Sequence, residues 1–217
     1  IPDVHYDFTQ FGLDRSQSTF VRNLRTSLIV DPPNGKLPFV TAEGQQRAAE
    51  RAVARAALGG RYDAAETQPL GARCIIMTGA GPPMLNAGYN SNYHIVQGPG
   101  YVMILVEMIH DARIIPVDGR GSPPASVRQW MGMSRGRWEG KTLVVETANL
   151  NGKNPFRGSS DQMRVTERFT RVSRGHDSVS LHRRRRGDVG DTVDRGDADA
   201  EHRRPDVRAR LPRRELR

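Results

Sequence analysis

The stretch YVMILVEMIHDARIIPV, residues 101–117, decides the fold. In a strand, successive side chains point to opposite faces. Over 101–109 one row is then Tyr101, Met103, Leu105, Glu107 and Ile109, and the other is Val102, Ile104, Val106 and Met108. Both rows are apolar, as in a strand covered on both sides. His110-Asp111 follows as a turn, and 112–117 reads as a second strand folded back on the first.

The same period extends outward from this pair. Residues 93–97, 137–139, 142–147 and 163–172 read as further strands, divided by Gly/Pro clusters at 79–83, 98–100 and 119–124. Glu139-Gly140-Lys141-Thr142 predicts a hairpin with a two-residue loop, pairing Trp138 with Leu143 on a buried face and placing Arg137 diagonally near Glu146. Short strands joined by tight turns imply a mainly β fold. The expectation is an antiparallel barrel, with a lipocalin-like form among its versions, or a sandwich. Upstream, the turn cluster DPPNGK at 31–36 precedes Thr41, an N-cap type, with Glu43 in the first turn. The Ala- and Arg-rich run to Leu58 and the stop at Gly59-Gly60 predict one surface helix. The chain therefore divides into an irregular lead (1–40), a helix (41–60), an antiparallel β domain (61–174) and a tail (175–217).

The tail breaks with everything before it. Residues 175–217 hold 12 Arg and 9 acids, a net of +3, with no aromatic residue, Ile, Met or Lys. That composition buries too little apolar surface to fold, so a disordered tail is expected. The run Arg183-Arg184-Arg185-Arg186 is of a kind that binds phosphate backbones. Interspersed acids and the absence of a stacking platform argue against a specific nucleic-acid partner. Arg, Asp, Gly, Ala, Val and Pro are also what GC-rich DNA yields in almost any frame, so the tail is read as out of frame. Loss of the true continuation would leave 163–172 with an exposed strand edge, a route to self-association.

The full chain of 217 residues carries +9, and the body without its tail carries +6. A moderately basic body needs no nucleic acid to explain it. No run of about 18 apolar residues exists, so no transmembrane segment is expected. The chain opens on Ile1 rather than Met, and the true start is expected upstream of it. Cys74 is alone, a small hydrophobe by default.

The segments RTSLIVDPPNGKLPFVTAEGQ (25–45), GPPMLNAGYNSNYHIVQ (81–97), EMIHDARIIPVDGR (107–120), RQWMGMSRGRWEGKTLVVETANL (128–150) and FRGSSDQMRVTERFTRV (156–172) resemble a family of uncharacterised secreted bacterial proteins from GC-rich soil bacteria. The resemblance implies a periplasmic or secreted location. It also implies a C-terminus with a Trp-Thr-Pro-Trp-like and a Cys-His-Glu-like segment, which a one-base shift of 182–217 would permit. It carries no activity, and so imports no catalytic residue.

Candidate chemistry comes from polar groups that interrupt apolar rows. Glu107 stands in the first row of 101–109, and Glu167 stands between Val165 and Phe169 in the last strand. A carboxylate in such a place must pair or protonate. Glu107, His110 and Glu167 are thus the candidate acid/base groups, expected to converge on the sheet's interior side. The competing reading is a structural ion pair of Glu107 with Arg113 or another Arg. Tyr89, Asn92, Tyr93 and His94 form a polar-aromatic loop suited to a small polar ligand, with Arg113 as a further ligand-binding candidate. No metal motif and no cofactor fingerprint is present, so neither is expected. The leading function is an exported β-rich module that binds a small polar or amphipathic ligand or serves a structural role. A hydrolase or lyase using the buried acids is the alternative, and nucleic-acid binding through the tail ranks last.

Overall fold

The computed structural model describes residues 29–60, 62–77, 81–85 and 92–173, together with the backbone of three later strands. The lead before residue 29 and Tyr89 lie outside the described residues. Among the described residues the chain is mainly β with one α-helix, as expected.

The decisive stretch forms the middle of a three-stranded antiparallel sheet. After β1 (Ile29–Asp31), this sheet is built from β2 (Tyr93–Gly98), β3 (Tyr101–Val106) and β4 (Ala112–Pro116). Pro99-Gly100 closes the β2–β3 turn, with Gly100 at φ 75°, the positive value that a side chain would resist. Register sorts the side chains into two faces. Tyr93, Ile95 and Gln97 share the inner face with Val102, Ile104, Val106, Arg113 and Ile115. His94, Val96, Gly98, Tyr101, Met103, Leu105, Ala112, Ile114 and Pro116 share the outer one.

One expectation fails here. The strand thought to run over 101–109 ends at Val106, and Met108–His110 is a 3₁₀ turn with Ile109 at φ 48° and His110 at φ 49°. The hairpin closes early because Val106 N donates to Asp111 O at 2.8 Å. Met108 keeps its apolar role by dropping into the core at 6% exposure. Apolar residues thus continue past the strand and mimic its period.

The second sheet runs in the order β1, β9 (Val193–Arg195), β8 (His176–Arg184), β7 (Arg164–Ser173), β6 (Thr142–Ala148), β5 (Met133–Glu139). Its described side chains belong to β5 (Met133–Glu139), β6 (Thr142–Ala148) and β7 (Arg164–Ser173). The hairpin register is as expected: Trp138 faces Leu143, and Arg137 NH1 reaches Glu146 Oε1 diagonally at 2.6 Å. Leu143 is buried, yet Trp138 is 46% exposed, which corrects the expected burial of its ring. The period holds; Trp138 sits one residue from the end of its strand, and Leu143 carries the apolar contact there.

The two sheets share a core. Val102, Ile104 and Ile115 of the small sheet pack with Leu143 and Val145 of β6. Gly136 makes this approach possible: a Cβ there would stand 2.9 Å from Ile115 Cγ2 and 2.8 Å from Val117 Cγ1. The sheets meet by packing, not by a continuous ladder, so the barrel alternative is corrected: the described strands form no closed barrel.

The helix α1 (Ala42–Ala56) also matches, with Thr41 Oγ1 accepting from Gly44 N at 3.2 Å. The tail departs from expectation over its first strand. β8 (His176–Arg184) pairs antiparallel with β7, and short strands β9 (Val193–Arg195) and β10 (Ala200–Glu201) pair with β8. The backbone there follows the alternation of Val179 and Leu181 with Ser178, Ser180 and His182, a period-two pattern the composition argument overlooked. The edge through which self-association was expected, the far side of β7, therefore carries β8. The rest of 175–217 lies outside the described residues.

Candidate functional site

Glu167 and Arg113 meet between the sheets. Alternation on β7 turns Glu167 inward in the row of Gly136 and Val145, and alternation on β4 turns Arg113 inward beside Ile104. The side chains are 0% and 2% exposed, and the guanidinium grips the carboxylate with both arms, at 3.2 Å and 2.5 Å. Met84 N donates to Glu167 Oε1 at 2.9 Å, so the segment around 81–85 is fastened to the same carboxylate. Arg113 NH2 also reaches Ser134 Oγ at 3.4 Å, and Ser134 Oγ and Thr147 Oγ1 are 2.8 Å apart. Arg113 Nε is buried with no hydrogen-bond partner among the described residues. Gly81, at φ 81°, lets the chain pass close to this group, since a Cβ there would stand 3.1 Å from Arg113 NH1. A bidentate, desolvated pair of this kind holds parts in register.

Tyr93 flanks the pair from β2. Burial pushes its hydroxyl pKa up; the Arg113 cation opposes that and the Glu167 anion adds to it. Tyr93 also packs against both apolar clusters that border the site.

The other candidates lie elsewhere. Glu107 and His110 are exposed in the 107–111 loop. Glu107 Oε2 accepts from Asn92 Nδ2 at 2.7 Å and from Asn92 N at 3.3 Å, and Glu107 N donates to Asn92 O at 3.0 Å. Glu107 thus ties the start of β2 to the loop, and its expected burial is corrected. The competing reading, a pair of Glu107 with Arg113, is corrected too, because Arg113 is bound to Glu167. His94 stands exposed on the outer face of β2. The Asp111 pKa is raised, by burial against the opposing charge of His110, and Asp111 Oδ2 is buried without a partner among the described residues. The structure therefore joins Arg113, Glu167 and Tyr93, and separates Glu107, His110 and His94 from them.

Sequence reasoning missed Ser134, Gly136 and the Met84 amide. The small residues Ser134 and Gly136, two apart on one face of Met133–Glu139, were the available signal for the first two. A backbone amide leaves no signal in the sequence. Among the described residues no cluster of His, Cys, Asp and Glu could hold a metal ion, and no helix is long and apolar enough to cross a membrane. No family model, no curated protein and no solved structure matches this chain, so the resemblance to secreted bacterial proteins rests on the quoted segments alone.

Proposed function

We propose that this chain is a binding module, not an acid/base enzyme, and that it holds a small amphipathic ligand against the outer face of the β2–β4 sheet. The observation that carries the reading is the exposed apolar surface there. Ile114 is 63% exposed and Tyr101 40% exposed, on a face that also holds Val96, Met103, Leu105 and Pro116. None of its nine positions is Asp, Glu, Lys or Arg, although the chain as a whole carries +9. An uncharged apolar row on a charged chain is where the apolar part of an amphiphile would lodge. His94 supplies a polar group at one end, in the row of Leu105 and Ala112, where the polar end of an amphiphile would sit.

Size favours a small ligand. Three strands about 4.8 Å apart, read over five residues of about 3.3 Å each, give a footprint of roughly 200–250 Å². Stable protein partners each bury about 800 Å². An exported location belongs to the same proposal and is supported by the sequence resemblance alone. The out-of-frame reading of the tail is likewise a proposal, and the gene's nucleotide sequence over the codons for 174–182 is its check.

The test is a fluorescence titration with 1-anilinonaphthalene-8-sulfonate, an amphipathic anion, on a sample that melts cooperatively. Saturable binding at micromolar probe, weakened about tenfold or more by Ile114→Glu with the melt unchanged, is the expected outcome. Equal binding by the variant, or no saturable binding by the parent chain, contradicts the proposal.

A further inference from the structure

We propose that α1 is a detachable arm, clasped to the body by guanidinium groups, that undocks as a unit while both sheets stay folded. The helix has almost no apolar anchor. Gly44 is its one buried residue, and Val53 is 71% exposed. In place of a core it carries Arg47, Arg51 and Arg55, spaced four apart and so aligned in one stripe. Each reaches a main-chain carbonyl of the body. Arg47 donates to Gly158 O through Nε at 3.3 Å and NH2 at 3.0 Å, Arg51 NH2 donates to Ser159 O at 3.3 Å, and Arg55 NH2 donates to Thr67 O.

Such a clasp differs from a packed face in how it opens. Water can replace each guanidinium–carbonyl bond, whereas exposing a packed apolar face has no substitute. The helix also has reason to persist once free, being rich in Ala, Arg, Gln and Glu with an internal Gln46–Glu50 hydrogen bond at 2.9 Å. The two ends are not equivalent. At the N-terminal end Gly44 abuts Gly158, where an added Cβ would stand 3.1 Å from Gly44 O. At the C-terminal end Arg51 and Arg55 reach across, and the chain then turns at Gly59 with φ 101°. Release therefore runs from the C-terminal end toward Gly44. It uncovers Thr67 and Ser159, each 1% exposed when the arm is docked.

Native-state hydrogen exchange on the full chain tests this. Amides in the middle of α1 should exchange about 100-fold or more faster than those of β6, with a weak dependence on denaturant. The double variant Arg51→Gln, Arg55→Gln keeps helix propensity and removes two of the clasps. It should speed exchange over 48–56 by roughly tenfold while leaving β6 unchanged. Exchange of α1 and β6 at one common rate with one denaturant dependence would overturn the proposal, a result the parent chain alone can give. Unchanged α1 exchange in the double variant would overturn it as well, as would an equal acceleration of β6.

Discussion

Arg113 and Glu167 show how two interior-facing residues become interdependent. Either one alone in this core would be an uncompensated buried charge. Removing one partner should therefore cost far more than removing both. Glu167→Leu or Arg113→Met alone should destabilise by about 3–5 kcal/mol, while the double replacement should recover most of that loss. Urea unfolding of the four proteins checks it; additive losses would show that the two side chains act independently. Tyr93 gives a second residue-level test. Its hydroxyl pKa is raised in the fold above the ordinary 10.0, chiefly by burial. The folded state then holds this proton more tightly than the unfolded one. Stability is fully present below pH 10 and falls as pH rises from 10 through the folded value. Tyr93→Phe should flatten that decline in urea melts taken between pH 9 and 11.5, and an unchanged slope would remove Tyr93 as its cause. Glu167 was legible as an interior acid from the alternation of Met163, Val165 and Phe169 around it. Its partner was not, because strand period gives the face of a residue and not which residue of another sheet lies opposite.

Elements were legible where local chemistry is decisive and misread where tertiary contacts use apolar residues in turns. Thr41 at the helix start, Pro99-Gly100 in one turn and Gly140-Lys141 in another each fix local backbone geometry, and each lies where expected. The 107–111 loop was misread because Met108 and Ile109 carry on the apolar pattern of β3, while the loop closes through Val106 and Asp111. Glu107 and His110 were assigned to the interior for that reason alone. Close packing between elements is equally hidden from a single sequence. The meeting of β4 and β5 depends on Gly136, against which Ile115 and Val117 lie. Gly136→Ala places a methyl group within 3.0 Å of both side chains and should destabilise by about 1–3 kcal/mol through overpacking. Thermal melts test this, and a neutral or stabilising effect would show that the sheets are not held at that distance.

For the whole molecule, two sheets meet across one core, with Arg113 and Glu167 bridging them and α1 attached outside. The mainly antiparallel character followed from period two, but the number of sheets did not, since alternation is blind to whether strands join by ladders or by packing. Composition likewise misjudged residues 176–184, where a polar strand still pairs along β7. This arrangement packs Val102, Ile104 and Ile115 against β6 and leaves Ile114 and Tyr101 of the outer face exposed, with Val96 and Met103 half-buried beside them. Glu167 lies in that core, and Glu107 and His110 lie in an exposed loop. The most direct measurement is backbone amide chemical-shift mapping of the isotopically labelled chain during titration with a short-chain fatty acid. The binding-module account predicts saturable shifts confined to outer-face positions, centred on Met103 and Ile114 and reaching His94. Shifts centred instead on Glu107, His110 and Glu167, or the absence of any saturable shift, would contradict it.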